Sequence, residues 1–158
     1  MVDRPPIIVW FRDDLRLSDH PALAAAAKSG GPVIGLFVLD EDSRGVRPLG
    51  GAARWWLAQS LRCLRASLQA AGTDLVLRRG AASEIIPEVA RTAKAGAVFW
   101  NETAQAPHLA IAKAVEAGLA KAGIDSQSFA GDLLASPRDI RNKDGRGLRV
   151  FSPFWRRL

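Results

Sequence analysis

The sequence predicts an α/β fold: a doubly wound, Rossmann-like, five-stranded parallel sheet with helices on both faces. Two observations carry that prediction. Short, nearly continuous apolar runs recur along the chain, and a helical pattern follows each of the first four. Strands buried on both faces read as unbroken Val/Ile/Leu-rich runs, and their alternation with helices is the mark of a parallel sheet with right-handed crossovers.

The first strand is Ile7-Ile8-Val9-Trp10-Phe11, introduced by Pro5-Pro6 and ended by charge. The polar loop Arg12–His20 leads into a helix over Ala22–Lys28, with Ser18 or Asp19 as the expected N-cap and Pro21 in its first turn. Gly30-Gly31-Pro32 stops that helix, and Val33–Leu39 follows as the second strand, ending at Asp40. The connection from Asp40 to Gly51 is long and rich in charge, Gly and Pro, which fits either a site loop or a surface excursion. From Ala52, leucines at 57, 61, 64 and 68 lay one apolar stripe along a long helix that Gly72 ends.

The third strand is Asp74–Leu77, and the helix after it takes Ser83 as its cap and turns Ile85, Ile86 and Val89 inward, with Pro87 tolerated near its first turn. Ala97-Val98-Phe99-Trp100 is the fourth strand and delivers Asn101. A helix from about Pro107 to Lys121 stops at Gly123, and the more polar Ile124–Phe129 is the fifth strand, placed by its polarity at a sheet edge. After Gly131 the periodicity is lost, and the terminal Val150–Leu158 is rich in aromatics. The expected organisation is one domain over residues 1–130 and a linker over 131–158.

Composition excludes several classes. No apolar run approaches the ~20 residues of a membrane span, and the N-terminus lacks a signal peptide's apolar stretch, so a cytoplasmic location is expected. A single cysteine, Cys63, forbids an internal disulfide, and its place in a helix predicts a packed thiol. The net charge of +6 belongs mostly to the tail: residues 138–158 carry 7 Lys/Arg against 2 Asp/Glu. Those arginines surround the turn Asn142-Lys143-Asp144-Gly145 without interleaved aromatic platforms, which reads as a solvated loop.

No glycine-rich dinucleotide or phosphate loop, no serine nucleophile elbow and no histidine cluster at metal spacing is present. What remains is a crevice at the strand ends, where Phe11-Arg12, Leu39-Asp40 and Trp100-Asn101 share one rim with Arg54. Aromatics, an amide and arginines there suit a flat, partly polar, anionic ligand. The structural alternatives are Trp10 and Trp100 as core, and Arg12 paired with Asp14 or Asp40.

The run Trp10-Phe11-Arg12-Asp13-Asp14-Leu15-Arg16-Leu17-Ser18-Asp19-His20-Pro21-Ala22-Leu23 resembles the opening signature of the DNA photolyase/cryptochrome family. Gly50-Gly51-Ala52-Ala53-Arg54-Trp55-Trp56-Leu57, the pair Trp100-Asn101 and the closing Val150-Phe151-Ser152-Pro153-Phe154 are similar to later segments of the same family. The resemblance spans the chain but only the front third of such a protein. It implies the N-terminal α/β domain, which in many members holds an antenna chromophore, a folate, deazaflavin or flavin. It further implies that FAD and damaged DNA, and the light-driven repair of pyrimidine dimers, belong to a C-terminal helical domain this chain does not contain, so that no catalytic residue lies here. Arg54 and Asn101 match positions near the family's antenna pocket. Thr103 and Gln105 stand where carboxylates are usual, which implies weak antenna retention. Two other readings share these motifs or this fold: a cryptochrome-type photoreceptor, and a free-standing α/β ligand-binding module. Arg12, Asp14 and Arg16 are expected to fix the loop after the first strand.

Overall fold

The computed structural model describes residues 4–131 and 140–157. Five strands, β1 (Ile7–Phe11), β2 (Val33–Leu39), β3 (Leu75–Arg79), β4 (Ala97–Asn101) and β5 (Asp125–Phe129), alternate with four helices. These are α1 (Pro21–Lys28), α2 (Gly51–Ala70), α3 (Ala82–Thr92) and α4 (Ala106–Lys121), and a short α5 (Phe151–Trp155) follows. The sheet order is β3-β2-β1-β4-β5, with every pairing parallel.

β1 lies at the centre, and alternation along it feeds two cores. Ile8 and Trp10 point to the face covered by α3 and α4, where they meet Leu36, Val98, Trp100, Ile86 and Val115. Ile7, Val9 and Phe11 point to the face covered by α1 and α2, against Ala22, Ala26, Leu64 and Leu68. This two-sided burial is why β1 carries no polar residue. β5 forms despite Ser126, Gln127 and Ser128 because it is an edge strand: only its end packs inward, with Phe129 5.4 Å from the ring of Phe99.

Several local expectations are corrected. The N-cap of α1 is His20, not Ser18 or Asp19: its Nδ1 accepts the Leu23 N–H at 3.1 Å, with Pro21 in the first turn. Ser83 lies inside α3 and does not cap it; Asp40, at the end of β2, accepts the Ala82 N–H at 2.9 Å instead. Pro87 sits in the second turn of α3, and its buried ring packs where α4 presents Gly118, whose added Cβ would come within 2.8 Å of Pro87 Cγ. Cys63 is exposed, not packed. Only Leu64 and Leu68 of α2 are fully buried, both in its C-terminal half; the N-terminal half is more exposed, and Cys63 lies on the helix's solvent face beside Leu64.

The turn at Asn142–Gly145 forms as expected: Asn142 Oδ1 accepts the N–H groups of Asp144 and Arg146, and an antiparallel bridge joins Arg141 to Gly147. Asp132–Pro137 and Arg138 lie outside the described residues. Among the described residues no helix is long and apolar enough to cross a membrane, and no group of three metal-ligating side chains occurs.

Candidate ligand cavity at the strand ends

In an open parallel sheet the strand carboxyl ends form the working rim. Here they open into a cavity of about 350 Å³, within the range of small-molecule sites. It straddles the rim. On one side lie Phe37, Leu39 and the α2 residues Trp56 and Leu57; on the other lie Trp10, His108 and Ile111. The β2–α2 loop closes the third side with Glu41, Val46, Arg47 and Leu49.

That loop is strapped at three points. Asp40 accepts from Ser43 Oγ at 2.7 Å and from the Ala82 N–H. Glu41 accepts from Arg54 at 2.7 Å and from the Leu49 N–H at 3.2 Å, with Arg79 at 3.5 Å. Gly45, at φ +84°, turns the loop against Pro107 at the start of α4. Burial pushes the Asp40 carboxyl up, but donors from Ala82, Ser43 and Asp42 outweigh it and hold the group below its ordinary value.

The β1–α1 loop supplies the cavity floor. Arg12 lies over the Trp10 ring, 4.4 Å from its centroid, and donates to the His108 carbonyl at 3.1 Å. Burial lowers the pKa of its guanidinium despite the nearby Asp13, Asp14 and Asp40. His108 Nδ1 is buried without a hydrogen bond among the described residues; its nearest charged neighbour is Asp13, at 3.5 Å. Arg16 grips the Asp19 carbonyl with Nε and Nη2, pinning a non-glycine residue at φ +50°.

Arg54 and Asn101 do not line the cavity. Arg54 reaches it through Glu41 and also donates to the Leu49 carbonyl at 2.8 Å, so it holds the loop wall. Asn101 is buried, with both ends of its amide committed: Oδ1 accepts the Ala22 N–H at 3.1 Å, and Nδ2 donates to Asp14. It ties β4 to the start of α1 and to the loop beneath Arg12. Thr103 and Gln105 also stand outside the cavity lining. Sequence reasoning missed Trp56, Arg47 and His108 as cavity residues. The length of the β2–α2 connection was the available signal for Arg47, whereas His108 comes in from a distant helix.

The fold and cavity define a doubly wound α/β domain with an open cavity at the carboxyl edge of its sheet. The chain belongs to the DNA photolyase family, whose sequence model matches residues 7–158. The deoxyribodipyrimidine photo-lyase of Agrobacterium fabrum is 45% identical over 153 residues, which cover 97% of this chain and 31% of that protein. Cryptochrome-1 of Arabidopsis thaliana is 38% identical over 151 residues, covering 95% of this chain and 22% of that protein. The crystal structure of a bacterial class III photolyase from Agrobacterium tumefaciens matches with a TM-score of 0.89 at 42% identity, over 99% of this chain and 32% of that one. The chain thus spans a third or less of these relatives, and its fold is that of the photolyase N-terminal domain.

Proposed function

We propose that this chain is the light-harvesting domain of a deoxyribodipyrimidine photolyase, and that its strand-end cavity receives an antenna chromophore: a folate, deazaflavin or flavin. The observation that carries the reading is the cavity itself. Trp10 and Trp56 contribute aromatic side chains and Arg12 and Arg47 contribute cations, and among the described residues a buried ring nitrogen of His108 has no hydrogen bond. That donor set fits a flat heteroaromatic ring with polar edges. Bound there, the chromophore would absorb light and pass the excitation on. This chain's own residues bind it, orient it and exclude water: the loop from Asp40 to Gly50 covers it, and Arg54 and Asn101 hold the walls from behind.

In the whole protein, residues 1–130 form this domain and 131–158 lead toward a helical domain carrying FAD, which supplies the photochemical electron for splitting cyclobutane pyrimidine dimers in DNA. The chain alone is then inactive in repair. The likeness to Cryptochrome-1 supports a second reading, a blue-light photoreceptor. Light-dependent dimer repair by the full-length protein separates the two. For the domain, the test is gel filtration of the chain after incubation with each chromophore: co-elution at near one per chain supports the antenna reading, and elution of free chromophore only, in every case, contradicts it.

A further inference from the structure

We draw no further inference here: the strongest candidate, the exposed aromatic face that Trp55 and Trp56 form at the start of α2, carries none because nothing in the structure shows what covers it.

Discussion

His20 Nε2 lies 3.1 Å from Asp14 Oδ2, and both side chains are nearly or wholly shielded from solvent. The opposite nitrogen accepts the Leu23 N–H, so it carries no proton and the ring hydrogen sits on the nitrogen facing Asp14. Asn101 reaches the same carboxylate. One acid thus gathers β1, the start of α1 and the end of β4 beneath the cavity floor.

Acid sensitivity follows from this junction. Burial pushes the Asp14 carboxyl up, but hydrogen bonds from His20, Asn101 and the Arg12 N–H hold it below its ordinary 3.8; Asp40 is held low in the same direction. Each binds its proton less readily folded than unfolded. Their contribution is therefore complete above about pH 4 and is lost as pH falls through the lowered folded values. Urea midpoints should be level from pH 7 to 5 and fall below pH 4. Asp14→Asn should cost about 1–3 kcal/mol at pH 7 and flatten part of that fall; a variant as stable as the parent at pH 7 would show that the junction contributes nothing.

His20 serves α1 as a cap as well as meeting Asp14. His20→Ala should lose about 2–4 kcal/mol, from the cap and from the space left against Phe11, whose ring centroid is 4.9 Å away. His20→Asn retains a capping oxygen and should lie between the two. Thermal unfolding by circular dichroism reads the order; His20→Asn no better than His20→Ala would deny the cap its share.

The covering loop should loosen without the fold failing. Arg54 is about half exposed, so its pair with Glu41 contributes only about 0–1 kcal/mol to global stability. Glu41→Ala nonetheless removes the acceptor for Arg54, Arg79 and the Leu49 N–H together. Trypsin should then cut after Arg44 severalfold faster, at nearly unchanged melting temperature. Unchanged cleavage would show that the loop is held elsewhere.

Phe151 and Trp155 stack on the outer face of α5, 71% and 65% exposed. Apolar surface so placed seeks a partner, and the chain by itself should self-associate. Phe151→Ser with Trp155→Ser should move sedimentation toward monomer and lower dye binding; a parent chain already monomeric with little dye binding would contradict the expectation.

The sheet was legible because its strands are buried on both faces and therefore read as unbroken apolar runs, from Ile7–Phe11 to Ala97–Trp100. The family signature was legible at Trp10–Leu23. Helix caps were not, because the side chains that cap come from unexpected places: Asp40 caps α3 from another strand's end, and His20 displaced the shorter polar residues beside it. Cys63 was misplaced because a lone thiol in a helical run was read as packed, whereas the leucine stripe through Leu64 and Leu68 leaves the neighbouring position 63 on the solvent face. The site was half legible: Arg12, Phe37 to Asp40 and the long loop lie where strand ends predict, while His108 enters from α4, remote in sequence, and Arg54 and Asn101 stand behind the wall.

The indole N–H resonances of the five tryptophans offer the most direct test of the strand-end site. During titration with a bound flavin or folate, those of Trp10 and Trp56, which line the cavity, should shift together and saturate, while Trp155 on α5 stays still. Shifts confined to Trp55 and Trp155, or no saturable shift at Trp10 and Trp56 despite binding, would place the ligand elsewhere and contradict the account.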